Sequence, residues 1–175
     1  MDVNKIPVGE NAPYDVNVII EIPIGGNPVK YELDKKSGAM FVDRFLHTAM
    51  YYPCNYGFIP HTLSDDGDAV DAAVMGQIPV MSGCVIRSRP VGVLMMEDES
   101  GVDEKILCVP VDKLHPFYGN IGSYRDLRKI QLDQIEHFFT HYKDLEKGKW
   151  AKVKGWGEAE EAMELIRVGM ARAED

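Results

Sequence analysis

At 175 residues, with 45% hydrophobic and 27% charged side chains, the chain is sized for one domain, read as spanning 1–175, whose core needs no staples. A formal net charge of −9 and a pI of about 5.0 argue against a nucleic-acid binder, because neutralising phosphates takes a basic surface. No apolar run is long enough to span a bilayer.

The amino-terminal Met1-Asp2-Val3-Asn4-Lys5 lacks the basic-then-apolar pattern of a signal peptide. From Val16 to Ile22, Val16, Val18, Ile20 and Ile22 alternate with Asn17, Ile19 and Glu21, the period-two pattern of a half-buried strand. Pro23-Ile24-Gly25-Gly26-Asn27-Pro28 reads as a turn. A second strand over Val29–Leu33 puts Val29, Tyr31 and Leu33 on one face and Lys30 and Glu32 on the other. Further extended segments are predicted at 40–43, 70–75, 84–96 and 105–109. Short strands broken by Gly, Pro and Asp turns suggest a closed or partly closed barrel.

The last third changes character. Between Leu127 and Leu145, the residues Leu127, Ile135, Phe138, Tyr142 and Leu145 fall on one helical stripe, with Gly148 as a stop. A second helix is predicted over 158–173. The expected class is α+β: a small antiparallel barrel with two helices packed outside it. Cys54, Cys84 and Cys108 are odd in number and lack any Cys-x-x-Cys spacing. They read as buried thiols of a reducing compartment, so the expected location is the cytoplasm.

The chemistry collects around Asp66-Gly67-Asp68-Ala69-Val70-Asp71. Three carboxylates at i, i+2 and i+5, hinged on a glycine, offer hard cations oxygen ligands of the kind Mg²⁺ prefers. A calcium loop of the EF-hand kind fails on register. It needs glycine at its sixth position and Glu at its twelfth, and here the glycine is second and Gln77 is twelfth. The plain alternative is a solvated acidic turn. A second acidic stretch, Glu97-Asp98-Glu99-Ser100-Gly101-Val102-Asp103-Glu104, lies between two predicted strands, where by itself it would read as a hairpin tip kept soluble by charge. Two such loops on one barrel, with Glu21 from the first strand, supply oxygens for two or more divalent ions. Such a cluster repels an anionic substrate unless cations stand between them.

Cations follow. Lys30 lies beside Glu32, and Arg44 sits in Phe41-Val42-Asp43-Arg44-Phe45 among apolar neighbours, suggesting a guanidinium held partly inside a cleft. The alternative for each is a surface ion pair, and Lys143 and Lys149 would also suit a helix end. In Met50-Tyr51-Tyr52-Pro53-Cys54-Asn55-Tyr56-Gly57 a phenol can donate to a phosphate oxygen without adding charge; Tyr51 reads as core filling, as does Tyr142 from its stripe. His137 and His141 at i, i+4 lack the Glu of a zinc helix and read as structural. No P-loop or serine-elbow segment occurs.

Ile20-Glu21-Ile22-Pro23, Lys30-Tyr31-Glu32, Val42-Asp43-Arg44, Tyr52-Pro53-Cys54-Asn55-Tyr56-Gly57, Asp66-Gly67-Asp68 with Asp71, and His141-Tyr142-Lys143-Asp144-Leu145 appear in that order. From about Ile6 onward the chain thereby resembles the soluble family I inorganic pyrophosphatases of bacterial type. One position departs: the family usually has proline where Ala69 stands, and proline would pre-set the loop's φ, so a looser free loop is expected with every carboxylate retained.

The resemblance implies an OB-like barrel flanked by helices, hydrolysis of pyrophosphate to two phosphates, several Mg²⁺ ions per active site and a homohexamer. It implies Asp66, Asp71 and Asp103 as ligands of the first metals, with Asp71 shared between two, and Glu21, Asp98 and Asp103 for further metal arriving with substrate. Lys30, Arg44, Tyr56, Tyr142 and Lys143 match the pyrophosphate-contacting set. Asp68 matches the proposed general base, supported by Glu32, Tyr52, Glu99, Lys105 and Lys149. Rival readings from other classes are an OB-like module for single-stranded nucleic acid, opposed by the acidic balance, a calcium-stabilised structural domain, and a phosphohydrolase of nucleotides.

Overall fold

Strand β1 (Val16–Ile22) pairs antiparallel with β4 (Asn55–Phe58), and β4 pairs in the same sense with β5 (Asp71–Val74). The path continues through β8 (Lys105–Pro110) to the long β6 (Val85–Asp98), which returns to β1 and closes a ring of five strands. In this computed structural model, which describes residues 2–174, two further strands extend β6: β7 (Gly101–Val102) and β9 (Ala151–Gly157). A separate hairpin, β2 (Val29–Leu33) with β3 (Met40–Phe45), stands beside the ring. Helices α1 (Lys129–His141) and α2 (Ala159–Glu174) complete the α+β fold.

One ladder departs from the antiparallel expectation. β5 and β8 run parallel, which their connection permits because it passes through all of β6 and β7. That ladder sets Asp71 directly opposite Lys105.

Alternate strand residues feed three apolar clusters, the smallest of which packs Ile19 with Val3, Leu33, Phe58 and Ala69; the other two involve the helices. Ile22, Ala73, Leu94, Met96, Leu107 and Val109 pack with Ile135, Phe138 and Phe139 of α1, while Val16, Val18, Ile20, Val74, Ile106 and Cys108 pack with Ala162 and Ile166 of α2. Both faces of β1 are therefore covered. Ile19 is fully buried and Glu21 is buried too, so the half-exposed reading of this strand is corrected: period two locates a strand, and what covers its second face lies elsewhere in the chain. At Gly57 an added Cβ would stand 1.9 Å from the carbonyl oxygen of Ile19, so the close approach of β4 to β1 admits only glycine.

Three other expectations change. Tyr51, read as core, is 59% exposed, and Tyr52 beside it is buried against Phe138 at 4.6 Å between ring centroids. Leu145, placed on the helical stripe, is 71% exposed because α1 ends at His141 and the chain turns before reaching it. Cys84 is only partly buried, while Cys54 and Cys108 are buried as read. Strands β4 and β9 lie outside the predicted segments: β4 has four residues, one of them glycine, directly after Pro53-Cys54, and β9 carries Gly155 and Gly157 in its interior and end. Among the described residues no helix is long and apolar enough to cross a membrane.

Candidate active site

A cavity of about 300 Å³ opens where one end of the ring meets the β2–β3 hairpin and the turn after α1. Its walls carry eight carboxylates (Glu21, Glu32, Asp66, Asp68, Asp71, Asp98, Glu99, Asp103) and six cations (Lys30, Lys35, Arg44, Lys105, Lys143, Lys149), with Tyr56 and Tyr142. Every residue singled out above as catalytic, substrate-binding or metal-ligating is on that wall except Tyr52. Tyr52 stands behind it in the core, its ring 5.6 Å from that of Tyr56.

Local irregularities aim several of these side chains. Glu21 falls where the β1–β4 register shifts, between Ile20 and Ile22, and a bulge of this kind re-aims a side chain that a regular strand would point elsewhere. A second shift on the hairpin pairs Lys30 with Arg44 and Tyr31 with Val42, leaving Asp43 as the extra residue. Asp43 then faces both cations, 3.1 Å from Arg44 and 3.5 Å from Lys30. In the acidic turn, Gly67 has φ +91°, a left-handed conformation that favours glycine, and the Asp68 N–H donates to Asp66 Oδ1 at 3.0 Å. Asp66 and Asp68 are thereby exposed on the cavity rim, above the partly buried Asp71.

The floor is a charge network. Lys105, 3% exposed, donates to Asp71 at 2.5 Å and to Asp103, and Tyr56 Oη donates to the same Asp71 oxygen at 2.6 Å. Burial works to lower the Lys105 pKa, but the Asp71 and Asp103 charges reverse this and raise it, so the ammonium persists. Burial raises Asp103 in spite of Lys105. It also carries Glu21 to about 7, against the opposing pull of the Leu33 N–H, which donates to Glu21 at 2.8 Å. For Asp98 burial loses: the ammonium of Lys143 at 2.5 Å and the Ser100 N–H hold it below the usual carboxylate value. Lys143 also reaches Glu99 at 3.3 Å and is 5% exposed, so it is no helix-end ornament. Tyr142 is both core and wall, buried against Phe138 and Phe139 and lining the cavity. The acidic stretch from Glu97 to Glu104 likewise turns Asp98, Glu99 and Asp103 inward, while Glu97 pairs outside with Lys154.

The donor set fits hard divalent cations. Its carboxylates share one cavity without closing on a point: among the described residues, no three acids form a ready cage. Mg²⁺ is held in this open fashion, through one or two carboxylates per ion with waters and phosphate oxygens completing the shell. Sequence reasoning missed Lys35 on the wall and, behind Arg44, the buried Glu146. Neither belongs to a motif, and only the fold places Glu146 against the hairpin.

An acid-lined cavity ringed by lysine, arginine and tyrosine donors suits one class of protein, an enzyme that takes a multiply charged oxyanion together with divalent cations. The family model for inorganic pyrophosphatase matches residues 18–174. The chain is 67% identical over 171 residues to the inorganic pyrophosphatase of Rhodospirillum rubrum, covering 98% of this chain and 96% of that protein. It is 64% identical to that of Caulobacter vibrioides, covering 98% and 97%. The crystal structure of the inorganic phosphatase of Anaplasma phagocytophilum superposes with a TM-score of 0.95 at 56% identity, covering 98% of this chain and all of that one. The inorganic pyrophosphatase of Thermus thermophilus gives 0.94 at 41% identity, with both chains fully covered. The chain belongs to the soluble family I inorganic pyrophosphatases of bacterial type. It is accordingly a hydrolase of the diphosphatase class.

Proposed function

We propose that this enzyme hydrolyses inorganic pyrophosphate to two orthophosphates with Mg²⁺, several ions per site, held by Asp66, Asp71, Asp98, Asp103 and Glu21. Bound there, the ions supply neutralisation of phosphate charge and acidification of a coordinated water. Lys30 and Arg44, paired on the hairpin, and Lys143 from the turn after α1 offer their cationic donors to the phosphate oxygens, and Tyr56 and Tyr142 offer phenol donors that add no charge. Asp68, on the exposed rim, accepts the proton of the attacking water. Glu32 orients Lys30 through their hydrogen bond, and Lys105 holds Asp71 and Asp103 in place. Tyr52 supports Tyr56 from the core. Most of the work is positioning and electrostatics, as phosphoryl transfer requires.

The observation that carries this reading is the convergence of those acids and cations, drawn from six strands, two loops and a post-helical turn, on one cavity. The test is phosphate release from pyrophosphate with Mg²⁺, repeated after chelation and compared with ATP. Release confined to pyrophosphate and abolished by chelation supports the proposal; equal release without metal, or none with it, defeats it. Cytoplasmic location, a homohexameric assembly, and indifference to nucleic acid and membrane complete the reading, supported by family membership, the absence of a membrane-length apolar helix among the described residues, and the net charge of −9.

A further inference from the structure

Arg44 reaches the cavity from β3, a strand of the two-stranded hairpin and not of the closed ring. Most of β3 is exposed, so little core packing sets where this guanidinium points. Besides its chain neighbour Asp43, one distant residue holds it. Arg44 Nε donates to Glu146 Oε1 at 2.8 Å across a sequence separation of 102. Glu146 is 8% exposed, and its second oxygen, Oε2, is buried without a hydrogen-bond partner. Leaving a buried acceptor unsatisfied costs about 1–3 kcal/mol, a cost that calls for a reason.

The surroundings supply the reason. Glu146 lies in the turn after α1, where its N–H donates to the Lys143 carbonyl and its own carbonyl accepts from the Lys149 N–H. Lys143 and Lys149 both line the cavity. The same turn meets the chain just beyond the hairpin a second time, with His47 Nδ1 3.3 Å from the carbonyl oxygen of Leu145. Glu146 thus joins the element that carries Arg44 to the element that carries Tyr142, Lys143 and Lys149. On the guanidinium, Nε goes to Glu146 and Nη1 to Asp43 at 3.1 Å, while Nη2 meets no acceptor among the described residues. Held through Nε and Nη1, the planar group keeps Nη2 for a ligand oxygen.

We infer that Glu146 is a positioning residue: it orients Arg44 and sets the spacing between the hairpin cation and the post-helical lysines, so that both engage one phosphate-bearing ligand. This rests on the pyrophosphatase reading above. A misplacement of about 1 Å can cost about 100-fold in rate, so Glu146→Ala is expected to lower kcat/KM for pyrophosphate by roughly ten- to a hundredfold. Glu146→Gln, which keeps an acceptor for Nε, should recover most of that loss.

The decisive measurement is a double-mutant cycle with Arg44→Ala, read both as kcat/KM and as the Kd for methylenediphosphonate, a non-hydrolysable analogue. In the Arg44→Ala background, Glu146→Ala should change either quantity by less than about twofold, because the group it orients is gone. Equal losses in both backgrounds, or no loss in the single variant, overturn the inference, since loosening of the turn alone would act regardless of Arg44. Should Glu146→Ala fail to fold, the same cycle is run with Glu146→Met, which fills a similar volume and offers no strong acceptor to Nε. A wild-type protein that releases no phosphate defeats the underlying reading, whereas an active wild type with an additive cycle defeats only the role of Glu146.

Discussion

Replacing Lys105 with methionine isolates what the cavity floor contributes. Methionine keeps the length and apolar stem of lysine and removes the ammonium, so the fold loses little packing. Two carboxylates are left without their shared partner: Asp71, whose side chain is 30% exposed, and Asp103, 14% exposed. Removing one member of a buried ion pair costs about 3–5 kcal/mol. Water reaching Asp71 favours the lower end, about 3 kcal/mol. For a chain of this size each kcal/mol shifts Tm by about 2–4 °C, so the chelated variant should melt roughly 6–12 °C below the wild type. Divalent cations should narrow the gap. With the ammonium gone, Asp71 and Asp103 bind Mg²⁺ more tightly, and at a hundredfold excess over Kd binding contributes about 2.7 kcal/mol. Calorimetric melts at pH 8, in chelator and across a Mg²⁺ titration, read both effects. A chelated variant melting within about 2 °C of wild type, or one that Mg²⁺ stabilises no more than wild type, would refute the reasoning.

Asp71→Asn should lower kcat by about 100-fold or more and weaken Mg²⁺ binding, because it removes charge from the acid that Lys105 and Tyr56 both hold in place; steady-state kinetics with calorimetric Mg²⁺ titration check both. Asp68→Asn should cut kcat by about 10²–10⁴-fold while changing Mg²⁺ affinity far less, and near-normal turnover across pH would remove Asp68 from the role of base. Asp2→Asn serves as its control, since among the described residues that side chain meets the exposed Lys5, far along the chain from every motif. For Glu21 the sign follows from its raised pKa. The folded, metal-free protein holds a proton up to about pH 7 that the unfolded chain releases near 4.5, so the associated stability is fully present below 4.5 and is lost as pH rises through 7. Glu21→Gln removes that loss, and in chelator at pH 8 it should unfold at higher urea than wild type, by up to about 3 kcal/mol, with no such advantage at pH 4.

Much of the site could be read from local spacing. Asp66, Asp68 and Asp71 lie within six residues, and the turn that gathers them needs only its own glycine and hydrogen bonds. Lys30 and Glu32 share a strand face by simple alternation, and α1 buries Ile135 and Phe138 as its stripe requires. Resemblance then supplied roles that spacing could not.

Other features had no local signature. The opposition of Asp71 and Lys105 exists only because β5 and β8 pair in parallel. Glu21 points inward through a bulge whose extra residue is counted only against β4. Tyr51 and Tyr52 are the same residue type side by side, and the core accepts one and leaves the other in solvent. Glu146, a plain acid in a charged turn, takes on meaning only where the hairpin brings Arg44 to it. Periodicity and short motifs record what a residue's neighbours along the chain allow. Which charges meet across the cavity is decided by contacts between distant segments, whose partners become known only when the ring has closed.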